Sequence, residues 1–271
     1  MTFVPAENSV TDVSADLLIV INRGRLMCKH GRPFQLLSAD IETQLPAADH
    51  RHYLGHLDGK HCFAVFFSAT EMAAPNQFEW HDLRAQLGLI EETLFNLAGR
   101  ALQITRWYRE HQFCGVCGQP TRQAKSDRAL VCSHCEHRAY PRISPCVIGL
   151  VKHGDRCLLA RGVRTPEGVF TTLAGFIEAG ETAEEAFARE VYEEVGLRIS
   201  NIRYVCSQPW PFPSQLMLGF YAECDSEELN IDEREIIEAA WFEADKLPNI
   251  PPMGTIAGKL IHGFVSETAH S

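Results

Sequence analysis

The stretch from Gly175 to Leu197 limits what this chain can fold into more than any other. It reads Gly175-Phe-Ile-Glu-Ala-Gly-Glu181, then seven residues, then Arg189-Glu190-Val191-Tyr192-Glu193-Glu194-Val195-Gly196-Leu197. Thr182, with Glu185 three residues on, makes a capping box. No Gly or Pro interrupts 183–195, and Gly196 supplies a C-terminal stop. The spacing therefore predicts a loop over 175–181 and a helix of about three to four turns after it. At ~100° per residue, Ala183, Ala186, Phe187, Val191 and Val195 form the apolar stripe of that helix. Glu190 and Glu194 fall inside the stripe, and Glu193 lies beside them. Arg189 points elsewhere, with Glu185 and Glu193 in reach four residues away. Like charges stacked four residues apart weaken a helix. Turning them inward costs more unless a cation compensates, and a hard divalent ion with oxygen ligands is the simplest one. A solvated acidic face, the usual fate of a charge run, would put these glutamates opposite the stripe.

Two cysteine knuckles give a second constraint. Cys114-Gly-Val-Cys117 and Cys132-Ser-His-Cys135 are separated by fourteen residues. Gly118 and Glu136 follow them as turn-compatible positions. Four soft ligands in two such turns suit tetrahedral Zn2+, and four thiolates leave no open position, so the site is structural. A redox dithiol would need one Cys-x-x-Cys in a thioredoxin-like pattern, which is absent. The remaining cysteines (28, 62, 146, 157, 206 and 224) show no ligand spacing and read as buried or free thiols. Residues 100–142 carry eight Lys and Arg against three acids, a basic patch in a chain of net charge −10. The patch would suit RNA phosphates, and equally it can be solvated charge on a small module. The overall charge disfavours nonspecific nucleic-acid binding by the whole surface. The start Met1-Thr-Phe-Val-Pro-Ala-Glu-Asn lacks a signal-peptide pattern. No apolar run approaches the ~18 residues of a membrane span. The expected location is cytoplasmic.

The helix-and-glutamate pattern, Gly-x5-Glu-x7-Arg-Glu-hydrophobic-x-Glu-Glu-x-Gly-hydrophobic, resembles the Nudix box at every defined position. The resemblance implies an α/β/α sandwich and hydrolysis of a nucleoside diphosphate linked to another group, with Mg2+ or Mn2+. It implies that Glu190, Glu193 and Glu194 bind metal and are catalytic, with the Ala174 carbonyl as a further ligand. A second segment is Ser207-Gln-Pro-Trp210-Pro-Phe212-Pro-Ser214. Alternating prolines hold an extended backbone and would present Trp210 and Phe212 rigidly for stacking on a planar ring. The bland alternative is a proline-rich loop with its aromatics tucked into the core. The segment resembles the Ser-Gln-Pro-Trp-Pro-Phe-Pro-x-Ser array of the NADH pyrophosphatases, also described as NAD-capped RNA hydrolases. Here Ser214 and Gln215 stand where that family has x-Ser. The resemblance implies substrate contacts by Gln208, Pro209, Trp210, Pro211, Phe212, Pro213, Ser214 and Gln215. It also implies contacts by Tyr140, Ala257 and Arg84. Glu235, in Arg234-Glu-Ile-Ile-Glu-Ala-Ala-Trp241, resembles a further metal-binding glutamate, with Glu238 as its competitor. The family implies a homodimer that hydrolyses NAD(H) to nicotinamide mononucleotide and AMP and acts on NAD-capped RNA. The rivals are a Nudix hydrolase of another diphosphate such as ADP-ribose, and an RNA-binding zinc ribbon with an idle Nudix fold.

The expected organisation is α/β throughout. It comprises a small N-terminal domain with a linking helix over 1–110, a zinc ribbon over 111–141 and a Nudix domain over 142–271. In the first, Leu17–Asn22 reads as a strand with a turn at Arg23-Gly24. Tyr53–Leu57, Asp58-Gly59 and His61–Ser68 read as a β-hairpin. Strand alternation puts His50, His52 and His56 on one face, expected to be exposed, with no acidic or cysteine partner at ligand spacing. Trp80–Gln86 and Glu91–Glu110 read as helices, the second with a stripe wide enough for more than one neighbour. In the last domain, strands are expected at Pro145–Val151, Arg156–Ala160, Thr171–Ala174, Asn201–Ser207, Leu216–Glu223 and Ala239–Glu243. A final helix is expected over about Thr255–Val265.

Overall fold

The computed structural model describes residues 1–6, 16–67 and 71–269 and divides them into two compact units, Met1–Arg142 and Ile143–Ser271. Among the described residues of the first, a seven-stranded sheet is formed by β1 (Phe3–Pro5), β2 (Leu17–Asn22), β3 (Arg25–Lys29), β4 (Leu37–Ser38), β5 (His50–Leu57), β6 (Lys60–Phe67) and β7 (Phe78–His81). Its order is β1-β5-β6-β2-β3-β7, with β4 on β2. The turns at Arg23-Gly24 and Asp58-Gly59 have positive φ at both residues, which matches the twist of tight hairpins. Ser68, the expected end of the second hairpin, lies outside the described residues. Helix α1 (Glu92–Glu110) packs on β2, β5 and β6. A three-stranded ribbon of β8 (Thr121–Gln123), β9 (Leu130–Cys132) and β10 (Arg138–Ala139) completes the unit.

Two expectations for this unit are corrected. Trp80–Gln86 is not a helix: Phe78–His81 pairs antiparallel with β3, and a 3-10 turn follows over Leu83–Gln86. The open edge of β3 outweighs local pattern there, and the Trp80 indole donates to the Met72 carbonyl at 2.7 Å. Nor do the three histidines share a face. The register slips between Tyr53 and Gly55, a β-bulge that flips the side-chain alternation. Gly55 sits at φ 136°, and a Cβ there would lie 2.1 Å from the Val4 carbonyl oxygen. His50 and His52 therefore meet each other and Tyr108, while His56 meets Tyr53 and His61. His52 is 3 % exposed, not on an open face. Burial, then the charges of His50 and Arg128, push its imidazole down to about 3.

The second unit contains β11 (Ser144–His153), β12 (Arg156–Gly162), β13 (Leu173–Phe176), α2 (Ala183–Val195), β14 (Ser200–Trp210), β15 (Gln215–Glu223), β16 (Ile236–Glu243) and α3 (Ile256–Thr268). The sheet order is β14-β15-β11-β12-β16, with β13 on β11 and the β11–β15 pair parallel. Strand alternation builds two cores. Val147, Val151, Leu158, Ala160, Phe220 and Ala222 face Phe187, Val191 and Val195 of α2. Their neighbours Cys146, Ile148, Leu150, Cys157, Leu159, Met217 and Tyr221 face Ile256, Leu260, Ile261 and Phe264 of α3. Strands apolar on both faces, each covered by a helix, make the α/β/α sandwich. β12 pairs with β11 at the hairpin end, at Lys152 and His153. The rest of the β11 edge, Cys146–Gly149, is taken by β13. That exchange brings the end of β13 under α2.

Gly149 is where α2 comes closest: a Cβ there would lie 2.0 Å from the Phe187 ring. Gly149→Ala should therefore lower stability by about 1–3 kcal/mol through overpacking. Urea denaturation tests this; an unchanged midpoint would mean that Phe187 does not fill this space.

Candidate active site

The capping box forms as expected: Thr182 Oγ1 accepts from the Glu185 amide at 3.2 Å, and the Glu185 carboxylate accepts from the Thr182 amide at 2.9 Å. Gly196 ends α2 in the left-handed conformation, φ 74°. The helix then presents Arg189 to several acceptors. Its Nε donates to Glu181 Oε1 at 2.6 Å, and its Nη2 to Glu181 Oε2 and the Phe176 carbonyl, both at 2.9 Å. Its Nη1 donates to Glu190 Oε1 and Glu193 Oε2, also at 2.9 Å. Of the two expected partners, Glu193 pairs with Arg189, while the cap occupies the Glu185 carboxylate. Sequence reasoning missed Glu181 as the main partner, although it ends the motif's glycine-rich loop. Arg189 holds the Glu181 carboxyl down at about 2.

Glu190 and Glu194 turn inward, as the stripe required. A Cβ on Gly175 would fall 1.8 Å from the Glu190 carboxyl carbon, so the carboxylate fills the volume the glycine leaves. Ala174, just before it, pairs with Ile148 on β11. Glu194 is 7 % exposed, and its Oε2 has no hydrogen-bond partner among the described residues. Burial, then the charges of Glu190, Glu235 and Glu193, push its carboxyl up to about 8. Burial likewise raises Glu190, against the pull of Arg189. Glu235 is exposed in the turn before β16, and both inward carboxylates feel its charge. Glu238 instead pairs with Arg161 at 3.8 Å. Glu190, Glu193, Glu194 and Glu235 thus act on one another through their charges, and Glu190 lies against the end of β13. An all-oxygen set with an unpartnered buried carboxylate oxygen fits a hard divalent cation.

The proline-rich segment differs from expectation. It is extended only as far as Trp210, which ends β14 and pairs with Gln215. Residues 211–214 form the turn, because β14 and β15 are antiparallel neighbours and the chain must reverse between them. The Trp210 and Phe212 rings meet edge to face, with centroids 5.0 Å apart and planes at 75°. Trp210 also packs on the α3-side core. Pro211 is buried, Pro209 and Pro213 are exposed, and Gln215 is half-buried. The Ser214 hydroxyl donates to the Pro213 carbonyl. Gln208 is engaged within the fold. It is 3 % exposed, and both ends of its amide are engaged: Nε2 donates to the Gly254 carbonyl at 2.8 Å, and Oε1 accepts from the Ile256 amide at 2.7 Å. It ties β14 to the start of α3. Ala257 is buried in the first turn of α3, whose N-cap Thr255 accepts from the Gly258 amide. Arg84 and Tyr140 belong to the first unit. Arg84 is exposed on the 3-10 turn, and the Tyr140 hydroxyl donates to Asp127 at 3.0 Å.

In the ribbon, the four cysteine sulfurs lie within 4.8 Å of one another. Neighbouring Sγ atoms are 3.4 Å (Cys117–Cys132), 3.5 Å (Cys117–Cys135) and 3.6 Å (Cys114–Cys135) apart. A tetrahedron with Zn–S bonds of about 2.3 Å has edges of about 3.8 Å, so the cluster fits that ion. Gly118 and Glu136 have positive φ, 74° and 59°, closing each knuckle. Amides of Cys135 and His134 lower the Cys132 thiol to about 6, and those of Cys117 and Val116 lower Cys114. The basic patch is partly neutralised by the pairs Arg106–Glu110 and Arg138–Asp127.

Three family models match end to end: a NADH pyrophosphatase-like rudimentary NUDIX domain over residues 15–107, the NADH pyrophosphatase zinc ribbon domain over 109–140, and the NUDIX domain over 141–264. The chain belongs to the Nudix hydrolase family, in the group that joins these three modules. Among its relatives are the NAD-capped RNA hydrolases NudC of Salmonella heidelberg (strain SL476) and Salmonella typhi. Each is 50% identical over 192 residues, covering 70% of this chain and 75% of the relative. A crystal structure of a NUDIX hydrolase from Nitrosomonas europaea covers 59% of this chain and 93% of its own, with 25% identity and TM-score 0.48.

The raised Glu194 carboxyl has a consequence for stability. With about 8 in the fold against an ordinary 4.5, its contribution is complete below pH 4.5 and is lost as pH rises through 8. Without added divalent ion, the parent should lose stability relative to Glu194→Gln between pH 5 and 8, by at most about 1.4 kcal/mol per pH unit. Urea melts of the zinc-loaded pair test this; a pH-independent difference would contradict it.

Proposed function

We propose that this chain hydrolyses the diphosphate of NAD(H) to nicotinamide mononucleotide and AMP, and that it removes the NAD cap from RNA 5′ ends. The carrying observation is the inward pair Glu190 and Glu194, with an unpartnered buried oxygen on Glu194, in a chain 50% identical to NAD-capped RNA hydrolases. Glu190, Glu193, Glu194, Glu235 and the Ala174 carbonyl are the residues that would hold Mg2+ or Mn2+. Bound there, the ion supplies neutralisation of the diphosphate and acidification of a water. Arg189 fixes Glu190 and Glu193 by its two Nη1 bonds and anchors itself on Glu181 and the Phe176 carbonyl, so the carboxylates keep one arrangement during turnover. Glu190 or Glu194 takes the proton of the attacking water; both carboxylates are directed inward, beside the end of β13 or the sheet. Trp210 and Phe212 offer aromatic surface for one ring of the dinucleotide. The substrate roles of Arg84, Tyr140 and Ala257 rest on the family resemblance.

The zinc ribbon is a structural site for one Zn2+ per chain on Cys114, Cys117, Cys132 and Cys135. Exposed Arg109, Arg122, Lys125 and Arg142 are its candidates for RNA phosphate contacts. We place the enzyme in the cytoplasm as a homodimer. Among the described residues, no helix is long and apolar enough to cross a membrane.

Turnover of NADH and of 5′-NAD-capped RNA, each with and without Mg2+ or Mn2+, is the test. Cleavage of both with added metal, lost without it, is expected. Glu194→Gln should lower kcat by about 10²-fold or more, and a rate within about threefold of the parent would remove it from catalysis. If neither substrate is cleaved and ADP-ribose is, the ring-stacking assignment of Trp210 and Phe212 is wrong.

A further inference from the structure

We infer that Asp232 is a positioning residue of the glutamate site, holding Glu235 in register with Glu194; the inference rests on the metal role proposed above. Between β15 and β16 the chain crosses the C-terminal end of α2. The last carbonyls of a helix have no partner within it. Here the Asn230 amide donates to the Val195 carbonyl at 2.9 Å, and the Asp232 amide to the Glu194 carbonyl at 3.0 Å. The approach is close: a Cβ on Gly196 would lie 2.7 Å from the Asn230 Cβ. Asp232 is therefore bonded to the main chain of the buried glutamate.

The same residue builds the turn that carries Glu235. Its carbonyl accepts from the Glu235 amide at 3.1 Å and from the Ile236 amide at 2.9 Å. Its Oδ1 accepts from the Arg234 amide at 3.0 Å, the arrangement by which an aspartate side chain opens a turn two residues on. Glu233, Arg234 and Glu235 are all exposed, so main-chain bonds rather than packing set this turn. The Arg234 guanidinium also pairs with the Asp232 carboxylate, at 2.6 Å, but its side chain is 88 % exposed. An ion pair in water holds little, so the bond to the main-chain amide carries the role.

Both ends of the turn are anchored. Ile231, just before it, and Ile236, just after it, pack on the core that faces α2. The Glu235 carbonyl accepts from the Val163 amide at 2.9 Å, next to the register shift between β12 and β16 at Arg161–Gly162. What remains to be set is the course of the turn between these anchors, and Asp232 sets it from the Glu194 carbonyl. The charge of Glu235 reaches both Glu190 and Glu194. A relaxed turn would carry the Glu235 carboxylate away from them and leave α2 intact.

The test uses the zinc-loaded full chain, with Mn2+ binding read by electron paramagnetic resonance and the fold by circular dichroism. Asp232→Ala removes the acceptor that shapes the turn and should weaken Mn2+ binding by about tenfold or more. Asp232→Asn keeps an oxygen for the Arg234 amide and should recover most of the affinity. Arg234→Ala keeps the amide that Asp232 holds and should bind Mn2+ as the parent does. In a double-mutant cycle with Glu235→Gln the two losses should not add, because Asp232 acts through Glu235. Full additivity, or Asp232→Asn as weak as Asp232→Ala, would overturn the inference. Unchanged binding in Asp232→Ala would overturn it alone if Glu235→Gln weakens Mn2+ binding, and together with the metal role of Glu235 if Glu235→Gln does not. Should Asp232→Ala fail to fold, Asp232→Ser, whose hydroxyl holds such a turn more weakly, takes its place in the same cycle.

Discussion

The second unit depends on one unfavourable arrangement: carboxylates directed into the packed side of a helix. Glu190 and Glu194 sit one turn apart, Glu193 and Glu235 add charge beside them, and Arg189 is the cation that meets this group on α2. Arg189 does not neutralise the cluster. It divides itself among Glu181, Glu190 and Glu193 and leaves Glu194 to bury an unpartnered oxygen. Such a helix persists because its apolar neighbours Phe187, Val191 and Val195 are fully buried against the sheet and its first turn is capped at both partners of the box. The burial that stabilises α2 is what holds its charges in place. On the function proposed above, a divalent ion bound at these carboxylates would recover the cost, the stability–function exchange expected of a metal site.

The two units share a design and differ at this point. Each has a mixed sheet with one parallel pair, β2–β6 in the first and β11–β15 in the second. The helix of the first, Glu92–Glu110, carries acids only at its two ends. Its interior positions are uncharged or basic, and it packs without buried carboxylates. The rudimentary character of the first module can therefore be stated chemically: it keeps the sheet and lacks the inward glutamate row.

What the sequence made legible follows local rules. The α2 boundaries, its cap, its stop and its inward glutamates all came from spacing within one helix. The knuckles came from a ligand pattern that admits few readings. What it hid was decided by distant partners. The bulge at Gly55 depends on the approach of Val4 from β1, and it reverses where His56 points. Trp80 joined a strand because β3 had an open edge. The prolines around Trp210 suggested an extended arm, yet the pairing of Trp210 with Gln215 makes 211–214 a turn. Gln208 stands in a segment that resembles a substrate array, but its amide matches the Gly254 carbonyl and the Ile256 amide, 46 and 48 residues away. Spacing along the chain carries no trace of such a bond.

The proposed activity requires that the inward glutamates be there for a cation. Mn2+ binding at pH 7.5, followed by electron paramagnetic resonance on the zinc-loaded protein without substrate, addresses that directly. Parent protein should bind Mn2+ through oxygen ligands, and Glu190→Gln should weaken binding by about tenfold or more while its fold, read by circular dichroism, is retained. Equal Mn2+ affinity in parent and variant would mean that these carboxylates are buried for some other reason, and the active-site assignment would fall with them.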